Sequence, residues 1–201
     1  MSQILLITSS PRVESYSTRV AGKLAQKLSS RPGSNLTVRD LRRPPLPHID
    51  DSFAVARNSP PDLLTSVHKS ALSLSDKLIK ELFAADILII AAGMINFGIP
   101  SSLKAYIDYV VRPGVTFRYG SAGPEGLVKG KKAYLVLARG GRYSEGPMQA
   151  FNFQDTYLKA ALGFIGITDV ELITVEGVAF GPEVAEKAFS AALAKVDAIA
   201  A

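Results

Sequence analysis

Three short stretches of this chain concentrate residues able to grip a ligand. The first, Ser9-Ser10-Pro11-Arg12-Val13-Glu14-Ser15-Tyr16-Ser17-Thr18, sets a cluster of hydroxyls between an apolar run and the start of a helical pattern. Unpaired amides at a helix N-terminus, with the helix dipole behind them, bind anions. Serine hydroxyls add donors without adding charge, so a phosphomonoester fits such a nest. The second stretch, Met94-Ile95-Asn96-Phe97, is apolar and aromatic where a loop facing water should be polar. A planar apolar ring would suit it, with backbone groups and the Asn96 amide reading the ring's polar edge and Phe97 flanking a stacking slot. The third, Ala138-Arg139-Gly140-Gly141, has glycines that let backbone approach a ligand closely, since no Cβ obstructs it. Taken singly, each has a plainer reading. Ser17 or Thr18 could simply cap a helix with Arg12 solvated, Met94 and Phe97 could be core residues, and the glycines could form an empty turn.

What is missing narrows the chemistry. The chain has no cysteine, which excludes a disulfide framework, thiolate catalysis and cysteine-held clusters. Its two histidines, His48 in a proline-rich stretch and His68 on the polar side of a helical pattern, leave little for a metal centre, and both read as solvated rather than as proton shuttles. No GxGxxG follows the first strand and no GxxxxGK[ST] occurs, so dinucleotide-fold and P-loop sites are set aside. A receiver domain would need acidic residues at the strand ends, and none is there. The net charge of +5 comes from dispersed bases with no aromatic-interleaved stripe, which argues against nucleic acid. No apolar run approaches the roughly 20 residues of a membrane span, and the polar Ser9-Ser10 pair cuts off any signal-peptide core. A cytoplasmic protein is expected.

The elements that must position these stretches follow from periodicity. Apolar runs at residues 3–8, 35–39, 86–92, 132–138 and 170–175 read as strands, and helical spacing is found from residue 18 to about 31 and over 62–84, 101–111, 154–164 and 183–199. Five of the twelve prolines fall within residues 40–61, so that segment reads as a long surface excursion without regular helix or central strand. In the 62–84 helix the stripe Leu64, Val67, Ala71, Leu74, Leu78, Leu82 should face the core. Residues 115–126 suggest a hairpin or irregular insertion. No repeat or linker divides the chain, so residues 1–201 are expected to form one domain.

Alternating strands and helices imply parallel strands joined by right-handed crossovers. The fold class is α/β, a three-layer, doubly wound, parallel five-stranded sheet in the flavodoxin-like order 2-1-3-4-5. Such sheets bind ligands outside the carboxyl ends of strands 1, 3 and 4. The three stretches lie at those ends. A phosphate nest, an apolar slot and a glycine cradle side by side describe flavin mononucleotide (FMN).

The motif order SSP, SYS, GMINFGIPSSLKAYID, GVTFRY, GPEGL, ARGG and LGFIGITD resembles, across nearly the whole chain, the FMN-dependent NADH azoreductase and quinone reductase family. The resemblance implies a homodimer with one FMN per subunit. NADH or NADPH would reduce the flavin and a quinone or azo compound would reoxidise it, in ping-pong turns. It also implies that Ser10, Ser15, Tyr16 and Ser17 hold the phosphate end. Met94, Ile95, Asn96 and Phe97 would line the ring, and Ala138, Arg139, Gly140 and Gly141 its pyrimidine side. Phe97, and Tyr119 with the 40–61 excursion of a second subunit, would form the substrate wall. The flavin carries the chemistry, so no catalytic side chain is required and none is assigned. The chain departs from the family at Gly93 and Ile95, where proline and tyrosine are usual, at Ala138 in place of serine, and at Ala160-Ala161, where an aromatic residue is often found. A flavodoxin-like electron carrier without NADH turnover, or a scaffold without cofactor, is the alternative.

Overall fold

Strands that are apolar along their whole length are expected at the centre of a parallel sheet covered on both faces, and here they are. A computed structural model describes residues 2–200. In chain order the elements are β1 (Gln3–Thr8), α1 (Tyr16–Ser29), β2 (Asn35–Asp40), α2 (Asp51–Ala56), α3 (Ser66–Ala84), β3 (Ile87–Gly93), α4 (Ser101–Val110), β4 (Phe117–Gly120), β5 (Gly123–Gly126), β6 (Lys132–Arg139), α5 (Phe153–Ile165), β7 (Asp169–Glu176) and α6 (Pro182–Ala198). The main sheet runs β2-β1-β3-β6-β7 with every pairing parallel. With the β4-β5 hairpin set aside, this is the expected 2-1-3-4-5 order.

Alternate residues of each central strand feed opposite layers. Leu5 and Ile7 of β1, Leu88 and Ile90 of β3, and Leu135 and Leu137 of β6 pack beneath α2 to α5. Ile4 and Leu6, Ile89, and Val136 with Ala138 face α1 and α6. The hairpin is antiparallel, with Phe117 opposite Gly126. It lies directly on the end of α5: a Cβ on Gly126 would come within 2.2 Å of the Gly166 amide nitrogen. Gly166 itself ends α5 in the left-handed conformation, φ +106°. Only glycine serves at either position.

Four expectations need correction. The 40–61 excursion does contain regular helix. Its prolines cluster at 44–47 and 60–61, and between them Asp50 caps α2 by accepting the Phe53 amide at 2.9 Å. Phe53 is then buried against Tyr109, ring centroids 4.9 Å apart. The following helix begins at Ser66, not 62, because Pro61–Leu63 form a 3-10 turn and Thr65 supplies the cap. Its buried face runs through Leu72, Ser75, Leu78, Ile79 and Leu82, which leaves Val67 61% exposed. His68 is partly buried rather than fully solvated, with its Nδ1 enclosed and without a hydrogen-bond partner among the described residues.

Candidate functional site

Sheet register sets the three loops side by side. Thr8 lies opposite Ala91, and Gly93 opposite Ala138. Ser9 is fastened to the carbonyl of Ala91 by its amide at 3.1 Å and its hydroxyl at 2.9 Å. The Met94 amide reaches the Ala138 carbonyl at 2.8 Å. Between the loops opens a cleft of about 310 Å³ lined by Ser10, Pro11, Arg12, Glu14, Ser15, Tyr16, Gly93, Met94, Ile95, Ala138, Arg139, Gly140, Val178 and Ala179. Eight of the twelve residues predicted to hold the cofactor therefore meet there. The cleft falls within the range of roughly 300–1,000 Å³ usual for small-molecule sites.

At one end stands the start of α1. Ser15, rather than Ser17 or Thr18, is its cap, accepting the Thr18 amide at 3.4 Å and exchanging a hydrogen bond of 2.9 Å with the Ser17 hydroxyl. Helix geometry leaves the amides of Tyr16 and Ser17 without intrahelical acceptors, and the first turn carries no acidic residue to compete for an anion. The Ser10 hydroxyl lines the cleft and has no hydrogen-bond partner among the described residues. The Ser17 side chain is fully buried behind Ser15, so it serves the cleft through Ser15 rather than directly.

The middle loop is a two-residue hairpin turn. Ile95 and Gly98 exchange both backbone hydrogen bonds, at 3.1 and 3.0 Å, with Asn96 and Phe97 at the tip. Both tip residues have positive φ, +45° and +72°. Asparagine tolerates this conformation, whereas for a bulky residue such as phenylalanine it is strained, a condition that clusters at functional sites. The turn lifts Asn96 and Phe97 clear of the cleft lining. Phe97, 40% exposed, stands with Phe151 at 5.4 Å and Tyr143 at 6.3 Å between ring centroids. Its carbonyl accepts the Phe153 amide at 3.1 Å. Ile95 forms part of the cleft wall and also borders a hollow of about 690 Å³ formed with Leu41, Arg42, Arg43, Pro45 and the start of α4.

The glycine loop contributes backbone only, because the Arg139 side chain is fully buried beneath it. Its Nε donates to Gln154 Oε1 at 3.0 Å and its Nη1 to Glu176 at 2.7 Å, while Nη2 pairs with Asp155. Gln154 in turn donates to the Ala92 carbonyl at 3.3 Å, tying the network to β3. Burial alone would push both carboxyls up. For Asp155 the hydrogen bonds from Asn152 and Lys159 and the Arg139 charge outweigh that, and for Glu176 the bonds from Ser144 and Arg139 do. Both end below their ordinary values. Sequence reasoning missed Gln154, Asp155 and Glu176; the available signal was an arginine inside an apolar strand end, which must find buried carboxylates.

Two further predicted residues lie off the cleft lining. Gly141 borders a neighbouring hollow with Tyr143, Met148 and Phe180. Tyr119 is 75% exposed on the β4-β5 hairpin, edge-on to Phe117. Gly93 and Gly140 keep space open. A Cβ on Gly93 would stand 3.8 Å from the Ser10 hydroxyl oxygen, and one on Gly140 would stand 3.5 Å from the Ala179 methyl. Serine donors at a helix start, a narrow slot walled by Met94 and Ile95, and bare backbone opposite fit a phosphorylated planar ring such as FMN.

The chain is similar to known proteins along its whole length. A family profile described as flavodoxin-like fold matches residues 2–200. A Rhizobium etli protein named FMN-dependent NADH:quinone oxidoreductase 1 is 56% identical over 201 residues, covering 100% of this chain and 98% of its own length. An Agrobacterium fabrum protein named FMN-dependent NADH:quinone oxidoreductase is 54% identical, with the same coverage of both chains. Among solved structures, an azoreductase from Bacillus anthracis superimposes with a TM-score of 0.90 at 29% identity, covering 98% of this chain and 97% of the other.

Proposed function

The chain belongs to the flavodoxin-like fold family, and from that premise we propose that it is an FMN-dependent NADH:quinone oxidoreductase. The observation that carries the reading is the meeting of the β1, β3 and β6 loops in one cleft, with hydroxyl and amide donors at one end and bare glycine backbone at the other. Relatives more than 50% identical along their whole length bear that activity in their names. When bound, FMN supplies the redox chemistry, taking a hydride from the nicotinamide and returning two electrons to the acceptor.

The protein's part is to bind, orient and polarise. Ser10 and Ser15, with the amides of Tyr16 and Ser17, would hold the phosphate, and Ser17 would fix Ser15. Met94 and Ile95 would lie against the ring, with the Asn96-Phe97 tip overhanging it. Backbone from Ala138 to Gly141 would meet the pyrimidine side, where donors directed at developing negative charge favour the reduced state. Phe97 would wall the acceptor position, which the hollow beside Ile95 joins. One acceptor position used in turn by nicotinamide and by quinone or azo compound gives ping-pong kinetics. We further propose that the chain acts as a single domain within a homodimer, and that Tyr119 and the 40–61 segment of one subunit reach the cleft of the other.

The test is reconstitution with FMN. Protein freed of excess flavin should keep the visible flavin bands and oxidise NADH only when a quinone is supplied, with parallel double-reciprocal lines. Retained flavin without NADH oxidation would make the protein a carrier, and absence of retained flavin would remove the cofactor assignment.

A further inference from the structure

Glu176, the last residue of β7, has no place in the roles above, yet it contacts the glycine loop and the residues just past it at three points. Its carboxylate accepts Arg139 Nη1 at 2.7 Å, the Tyr143 amide at 3.1 Å and the Ser144 hydroxyl. The next residue, Gly177, turns the chain at φ +77°, where a Cβ would strike the Phe180 ring at 3.1 Å. That turn lays residues 177–179 along the glycine loop. The amides of Val178, Ala179 and Gly177 donate to the carbonyls of Arg139, Gly140 and Gly141 at 3.2, 3.0 and 3.0 Å. In a planar trans peptide the N–H points opposite to the C=O. The amides of Gly140, Gly141 and Arg142 are therefore directed away from the 177–179 segment, and none has an acceptor among the described residues. With the Arg139 side chain fully buried and Gly140 lacking one, backbone is what the loop offers the cleft at Gly140, and Gly141 and Arg142 carry that backbone on along the neighbouring hollow.

We propose that Glu176 is a positioning residue for the flavin: by clamping Arg139 below and Tyr143 and Ser144 beyond, it aims the amides of residues 140–142 at the pyrimidine edge. This rests on the flavin reading. Glu176 also offsets the Arg139 charge beneath the ring, so removing its charge while keeping its shape leaves more positive potential there and favours the reduced, more negative flavin.

The experiment compares wild type, Glu176→Ala and Glu176→Gln as full chains, reading dissociation constants for FMN and riboflavin and the midpoint potential of bound flavin. Glu176→Ala should weaken FMN and riboflavin by the same factor, about tenfold, because the ring and not the phosphate loses its partner. Glu176→Gln, which still offers an acceptor to Tyr143 and Arg139, should recover most of that affinity. It should also raise the ratio of reduced to oxidised affinity about tenfold, equivalent to roughly +30 mV for a two-electron couple. Wild-type affinities and potential in both variants, with only thermal stability lowered, would make Glu176 a purely structural ion-pair partner and overturn the proposal. Loss confined to FMN would overturn it too, by placing the effect at the phosphate. Should either Glu176 variant fail to fold, Ser144→Ala loosens the exposed arm of the clamp and leaves the buried pair intact. A smaller, equal loss for both flavins supports the proposal, and unchanged affinities count against it. Wild type that retains no flavin overturns the flavin reading and this proposal together, whereas wild type that binds flavin alongside indifferent variants overturns this proposal alone.

Discussion

The two ends of the cleft are built on opposite plans. At the α1 end the donors are their own support: Ser15 caps the helix it precedes, and Ser17, two residues on, fixes Ser15. At the glycine end the donors are backbone amides with no side chain of their own to hold them. Their support comes from Gln154, Asp155 and Glu176, 15 to 37 residues further along the chain. A local device can be altered residue by residue with little effect elsewhere. A device assembled from three elements around a buried charge ties binding to the stability of the fold.

That contrast predicts where each mutation will be felt. The largest effect should follow Arg139→Met, which leaves the enclosed carboxylates of Asp155 and Glu176 without their shared cation. Breaking a buried ion pair from one side costs about 3–5 kcal/mol, which for a chain of this size lowers the melting temperature on the order of 10 °C. A fall of only a degree or two in thermal unfolding would mean that the network is not structural. Next is the triple change Ser10→Ala, Ser15→Ala and Ser17→Ala. Ser10 and Ser15 would donate directly, and hydrogen bonds to a charged group are worth about 1.5–3 kcal/mol each, so FMN should bind roughly 10²–10⁴-fold more weakly while riboflavin loses less than about threefold. Equal loss for both ligands would erase the division between the ends. Gly140→Val should then weaken both flavins by about one to two orders of magnitude with the fold intact. Gly140 does not need positive φ, and a Cβ there meets the Ala179 methyl only at van der Waals distance, so the added methyls fill the slot rather than strain the backbone. Titrating FMN by fluorescence quenching measures both changes.

The same division decides what could be read from the sequence. Sheet order follows from apolar runs and their spacing, and the α1 end is a contiguous string of hydroxyls, so both are local patterns. The Arg139 network is not. Gln154 and Asp155 look like the polar start of a helix and Glu176 like a strand's last exposed residue until the sheet brings them under Arg139. The short helix α2 was hidden because proline density was averaged over 40–61, whereas Asp50 and Phe53 sit in the gap between two proline clusters. The strain at Phe97 was equally illegible, since it arises from the paired hydrogen bonds between Ile95 and Gly98 rather than from any preference of phenylalanine.

Acid should separate the two ends with the smallest but cleanest effect. Serine hydroxyls and amides do not titrate in the accessible range, so these donors at the α1 end add nothing to the pH dependence of folding. Asp155 and Glu176 do, because each is held below its ordinary value in the folded chain: burial raises both, but for Asp155 the hydrogen bonds from Asn152 and Lys159 with the Arg139 charge, and for Glu176 those from Ser144 and Arg139, prevail. A carboxyl whose folded value is depressed contributes stability that is complete above its unfolded value and is lost as pH falls through the folded one. Thermal stability of the flavin-free protein should therefore be level through neutrality and begin to fall below about pH 5, where unfolded carboxylates take up protons that the native ones refuse. Glu176→Gln should lower the neutral plateau and reduce the slope by at most about 1.4 kcal/mol per pH unit, the contribution of one proton. The triple serine variant should keep the wild-type slope. A Glu176→Gln profile that stays parallel to wild type down to pH 3 would mean that the carboxylate is not gripped by Arg139, and the glycine end would then need another support.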